Sequence, residues 1–213
     1  MMQTVEFLFH KGLYYIIEFP AYEHWFFICM LVGVYAHRQW THVLHISGVF
    51  AAGYTIALLA TSLDIIRISS ELSAIMVAIS LLVLALFNLK NSNTIIRQAK
   101  RKKVEKSSHA LFNKYSLFAL LGLVHGFDFY QGVGKILPQM GMSHFYTNLS
   151  ALSTGLFVGQ MAITAMALFL SWLFFGKGSM AHRDYILFLS AAAIGISFTA
   201  IMSAIMTTTY IQP

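Results

Sequence analysis

Charge is scarce in this chain. Only 10% of its 213 residues are Asp, Glu, Lys or Arg, while 58% are hydrophobic, and the mean hydropathy is +0.69. Soluble domains carry nearer a quarter charged residues, so this composition excludes an ordinary water-soluble fold. Cysteine is nearly absent as well. The single Cys29 excludes a disulfide framework and a thiolate metal cluster, and it reads as small core filler. The common soluble-enzyme signatures are missing too: no His-Glu-x-x-His, no glycine-rich phosphate loop and no Gly-x-Ser-x-Gly elbow.

What the chain has instead is long apolar runs. About 20 apolar residues cross the hydrocarbon core as a helix, and six windows reach that length: Tyr14–Ala36, His42–Leu63, Leu72–Leu89, Leu111–Phe129, Asn148–Phe175 and Tyr185–Ile211. The expectation is an all-α, polytopic transmembrane helix bundle forming one domain over residues 1–213. The N-terminal MMQTVEFLFHKGLYYII carries Glu6 and has no small-residue cleavage site, so it is expected to stay in place.

Basic residues are distributed unevenly among the connections. The odd loops hold Arg38, then Lys90, Arg97, Lys100, Arg101, Lys102, Lys103 and Lys106, and finally Lys177 with Arg183; the even loops hold only Arg67 and Lys135. Positive residues stay cytoplasmic, which predicts cytoplasmic odd loops, a basic cytoplasmic loop over 90–109 and both termini extracytoplasmic. The net charge of +6 is then mostly an orientation signal beside anionic lipid, and no nucleic-acid partner is expected. The expected setting is a bacterial inner membrane, with lipid and other membrane proteins, or a second copy, as partners.

Titratable groups inside these runs are the candidates for function, because each costs roughly 2.5–3.5 kcal/mol to insert and usually meets a partner or a cavity. Glu23-His24 lies in the first window; His125 and Asp128, spaced i, i+3, lie in the fourth and share a face if the helix continues through Gly126. Imidazole and carboxylate from two helices can bind a divalent cation of the Zn, Ni or Fe type or relay protons, and spacing alone does not choose between them. Adjacent Glu23 and His24 diverge by about 100° on a regular helix, so both cannot face one small ion without distortion.

Tyr15, Glu18 and Tyr22 fall on one face near Pro20, a predicted kink. Gln160 shares a face with Thr164 and is a partner for the His125 region, while Gly155-x-x-x-Gly159 and Ala193, Ser197, Ala200 and Ala204 permit close helix approach. His37, His42 and His45 form a solvated interfacial group on one reading and a metal-capture group on another. Four glycines and a proline between Gly126 and Gly141 fit either a broken, re-entrant stretch or a plain extracytoplasmic loop.

In order and spacing these features resemble the HupE/UreJ family of small membrane proteins, over Gly12 to about Lys177. Glu23-His24 followed by Phe27 is similar to the family's Asp-His pair, His125-Gly126 to its His-Gly-x-Gly-Phe segment, and Gly155-x-x-x-Gly159-Gln160 to its Asn-x-Gly-Val-Glu-x-Gly-Gln segment. The resemblance implies nickel supply to hydrogenase or urease. It also exposes departures: Ile17 stands where the family has a histidine, Tyr54-Thr55 where it has His-Ser, Phe157 and Ser153 in place of its acid and amide, and Asp128 in place of its second glycine.

The resulting expectation is a protein that binds and moves a divalent metal ion, nickel or zinc, at Glu23, His24, His125 and Asp128, with Glu18, Tyr54 and Gln160 around that set. An intramembrane metal-dependent hydrolase and a non-catalytic subunit of a larger membrane complex are the alternatives.

Overall fold

The structure is a computed structural model that describes residues 2–18, 22–33, 40–100, 108–176 and 182–211, with side chains over 2–18, 23–33, 40–90, 115–173 and 183–206. Among the described residues every regular element is a helix. In chain order these are α1 (Met2–Ile17), α2 (Tyr22–Gly33), α3 (Trp40–Ser62), α4 (Ser70–Lys100), α5 (Ser108–Phe129), a π-helix (Tyr130–Gly134), α6 (Ile136–Gln139), a 3-10 turn (Met142–His144), α7 (Phe145–Gly176) and α8 (His182–Ile211). Among the described residues four stretches are long and apolar enough to cross a membrane: Trp40–Ser62, Ser70–Lys90, Met142–Leu173 and Arg183–Met206. Large apolar side chains such as Ile56, Leu86, Leu120, Phe169, Phe188 and Phe198 face outward while Ser47, Ser73, Asn88, His125 and Ser197 are buried. That inversion suits a hydrocarbon solvent, and the chain is an integral membrane protein.

Glycine decides how the helices pair. A Cβ at Gly12 would come within 2.5 Å of the Leu152 carbonyl oxygen, and one at Gly155 would collide with Phe9. α1 therefore lies backbone to backbone on α7, and both helices run the same way, because Phe9 meets Gly155 while Ile16 meets Gly159. A second seam of the same kind joins α3 and α5. There Gly53 packs on Gly122, Phe50 covers Gly122, and Tyr54 covers Gly126 at 2.5 Å from a built Cβ, again in parallel register. Without water to drive apolar surfaces together, such close fit is what associates helices in lipid. α4 pairs with α8 without a glycine between them.

Several elements differ from the expected windows. The first is divided: α1 ends at Ile17 and α2 begins at Tyr22, while Pro20 and Ala36 lie outside the described residues. Ending a helix leaves carbonyls without partners, and here the Trp25 indole donates to the Ile16 carbonyl at 2.8 Å. The stretch expected as a basic loop is helical as far as Lys100, the end of α4; residues 101–107 lie outside the described residues. The Gly126–Gly141 segment is neither broken at its start nor a plain loop. α5 continues through Gly126 to Phe129, and the π-helix, α6 and the 3-10 turn follow, with Gly141 at φ 78° turning the chain toward α7.

α3 stops where Asp64 adopts a left-handed φ of 60°, allowing the Ile65 amide to reach back to the Ala60 carbonyl at 2.9 Å. α4 starts under a Ser69 cap, whose hydroxyl accepts from the Leu72 amide at 3.2 Å.

Candidate metal-ion site

The two glycine seams bring α1, α3, α5 and α7 to one point, and α2 packs beside them. His24, in the first turns of α2, and His125, on α5, have ring centroids 5.3 Å apart. Both are buried, His24 at 6% and His125 at 0% relative exposure. Phe27 lies 4.3 Å from the His125 ring, Phe50 5.1 Å from it, and Phe129 stacks on His24 at 5.0 Å. The resulting cavity is about 10 Å³ and is lined by both histidines, Gln160, Ile16, Ile28 and these phenylalanines. That volume holds about one water-sized particle.

The hydrogen bonds fix what the cavity can accept. His125 Nδ1 lies 2.9 Å from the Leu121 carbonyl, and a carbonyl only accepts, so Nδ1 carries the proton and Nε2 keeps a bare lone pair. Metal-ligating histidines are oriented in this way. His125 Nε2, both ring nitrogens of His24 and Gln160 Oε1 are buried without a hydrogen-bond partner. Gln160 spends its amide hydrogen on the Ser47 carbonyl at 3.4 Å, which leaves Oε1 as an acceptor. An orphaned buried polar atom costs about 1–3 kcal/mol. Acceptors from three side chains meet in one small space, which is the chemistry a cation satisfies. α1 adds to this, since it ends beside the cavity at Ile16 and its C-terminal end carries the negative pole of the helix.

Asp128 sits beside this cavity. One carboxylate oxygen, Oδ2, is 3.5 Å from His24 Nε2 and accepts from the Tyr15 hydroxyl at 3.4 Å. The other, Oδ1, is 3.3 Å from Ser73 Oγ on α4. Ser73 Oγ is also 2.8 Å from the Ser70 carbonyl, so its single hydrogen serves one acceptor at a time.

The remaining predicted residues lie elsewhere. Glu23 faces a second cavity, of about 480 Å³, between α2, α4 and α8, as the divergence of neighbouring helical residues requires. Glu18 is exposed at the end of α1, and its former neighbour Tyr15 turns to Asp128 instead; the side chain of Tyr22 lies outside the described residues. Tyr54 is buried, and its hydroxyl reaches the Ser153 carbonyl at 3.5 Å. Gly155 and Gly159 form the α7 side of the first seam. Of the interfacial histidines, exposed His45 pairs with the Thr41 carbonyl at 2.6 Å, and His37 lies outside the described residues.

Three features were not anticipated. Ser73 joins the site, and the only sequence signal for it is a serine at the start of an apolar run. Gly122-x-x-x-Gly126 forms the second seam, with the same spacing as Gly155-x-x-x-Gly159. The π-helix begins directly after Phe129, with Gly132 under the Tyr15 ring, where a Cβ would collide.

A family model described as HupE / UreJ protein matches residues 1–207, nearly the whole chain. The chain belongs to the HupE/UreJ family. Comparisons with curated proteins and with solved structures find no match. Two positions that depart from the family motifs, Tyr54 and Ser153, are in contact here. Ile17, a third, is 37% exposed and turned away from the cavity lining.

Proposed function

We propose that this HupE/UreJ protein binds a divalent transition-metal ion of the nickel, zinc or cobalt type between His24 and His125 and passes it across the membrane. One observation carries the reading: two buried imidazoles with bare nitrogens face one small cavity. Two imidazoles held tetrahedrally by one ion, at metal–nitrogen distances of about 2.0–2.1 Å, place their ring centres about 5 Å apart; the separation here is 5.3 Å. Imidazole nitrogen also favours these ions over calcium or magnesium.

Among the described residues no three His, Cys, Asp or Glu side chains form a ligating group. The ion therefore completes its shell with Gln160 Oε1 and water, while Asp128 balances charge from beside His24. So sparse a ligand set suits a site of passage, because an ion that must leave cannot be held by a full cage. A cavity of about 10 Å³ admits no organic substrate, which disfavours hydrolysis.

The test is metal occupancy of the purified protein, alone and as the His24→Ala/His125→Ala double variant. Near-stoichiometric nickel or cobalt in the wild type and at least a tenfold weaker affinity in the variant are expected. Equal, negligible occupancy in both would sink the proposal. It would favour a membrane subunit without transport, a reading supported by the Tyr54–Ser153 contact, which packs helices at positions where the family resemblance implies polar ligands.

A further inference from the structure

The larger cavity lies on the other side of α2 from the histidines. Its walls are the first turn of α2, the first turns of α4 and the later part of α8, with Glu23, Glu71, Ser70, Thr199, Ala200 and Ser203 around a volume of about 480 Å³. Ser70, Glu71, Thr199 and Ser203 are exposed. The cavity therefore opens at the end of the bundle that carries the 63–69 connection, the end predicted to be extracytoplasmic.

Two thin partitions separate it from the histidine site, and each presents neighbouring residues to both sides. On α2, Glu23 lines the cavity while the next residue, His24, lines the site. On α4, Glu71 and Ala74 line the cavity while Ser73, between them, is within 3.3 Å of Asp128. Asp128 in turn stands 3.5 Å from the Nε2 of His24, a nitrogen that is buried and makes no hydrogen bond. The succession is thus a wide carboxylate-lined mouth, a half-shielded carboxylate, and a bare imidazole pair.

From this juxtaposition we infer that the 480 Å³ cavity is the entry vestibule for the cation, with Glu71 as the residue that draws it in and Asp128 as the step between vestibule and His24. The inference rests on the proposed metal-ion function. Clefts lined by one sign of charge between low-dielectric walls raise counter-ion concentration and on-rates by about ten- to a thousandfold, an effect that salt removes. Ala74, Ala200 and Ala204 line this mouth and carry no side chain long enough to fill it. Glu71 stays outside the histidine site, so its charge governs the rate of arrival and leaves the strength of binding at the histidines alone.

The experiment uses the full chain in proteoliposomes, with nickel uptake as one arm and nickel binding to the detergent-purified protein as the other. Glu71→Lys should lower initial uptake at sub-saturating nickel about tenfold at low salt. The deficit should shrink in about 1 M salt, where the Debye length is ~3 Å. Binding at equilibrium should match the wild type.

A second variant avoids any question of folding. Thr199→Cys in a Cys29→Ser background folds first and is then treated with a membrane-impermeant cationic thiol reagent. Uptake should fall after treatment and remain unaffected in the Cys29→Ser parent. Unchanged uptake in both variants, with a wild type that binds and transports nickel, overturns the vestibule and leaves the histidine site standing. A wild type that binds no nickel overturns both.

Discussion

The bundle has a tight half and an open half. In the tight half, α1 on α7 and α3 on α5, glycines at 12, 53, 122, 126, 155 and 159 leave no room for a single added carbon. In the open half, α4 and α8 pair without glycine contacts, and a cavity of about 480 Å³ remains between their ends and α2. The contrast separates two tasks that one protein must perform. On the proposed reading, His125 on α5 and Gln160 on α7 sit on helices that cannot shift, whereas the ion reaches them past α2 and α4 through a wall that is not fully packed.

The most severe way to break this contrast is to overfill the tight half. Gly155→Leu should abolish stable expression, since its side chain would have to displace the Phe9 backbone; size-exclusion chromatography in detergent would read this as loss of the monodisperse peak, and a normal peak would show that the seam is not structural. Next in size is Gln160→Ala, which removes one acceptor from the cavity. Nickel affinity should weaken by about 10- to 100-fold in protein that still gives a monodisperse peak, measured by equilibrium dialysis and size-exclusion chromatography on the same sample.

The open half is sharpened by Lys135→Gln. Lys135 lies within electrostatic reach of Glu71, so removing its charge should raise nickel uptake a few-fold at low salt and have no effect at high salt. An increase that persists at high salt would assign Lys135 a different role.

Smaller still is a pH effect outside the bilayer, in the 63–69 connection. The Arg67 guanidinium holds the Asp64 carboxyl below its usual value of 3.8, chiefly through their hydrogen bond. A carboxyl whose folded value is depressed adds stability above its unfolded value of about 3.9 and loses it as pH falls through the lower folded value. Amide protection across 63–69, relative to the intrinsic exchange rate at each pH, should therefore fall only below about pH 4, and Arg67→Gln should abolish that dependence. The smallest effect is a control. Gly195→Ala should be tolerated, with a melting temperature equal to or slightly above the parent, because the built Cβ meets nothing and alanine is the better helix former.

Much of this was legible along the chain, for reasons specific to each residue. His125 and Asp128 share a helix face because three residues separate them, and Gly155 and Gly159 advertise a seam because four do. Gly122 and Gly126 carry the same signal but lie beside His125, and the chemistry of that neighbour hid their packing role. The division of the first window was less legible, because a broken helix and a kinked one have the same composition; Trp25 shows the break only when its indole is found on the Ile16 carbonyl.

Sequence by itself determined that the chain lives in lipid, that it belongs to its family, and that His24 and His125 are the costly groups needing an explanation. Insertion energy and helical periodicity act locally, so they can be read residue by residue. Only the tertiary structure decided that His24 meets His125 while Glu23 turns to a different cavity, and that Ser73 reaches Asp128. Those facts depend on the rotation of each helix about its own axis. In lipid, that rotation is set by close packing between segments far apart in the chain, as in the contacts of Gly12 with Leu152 and of Gly53 with Gly122.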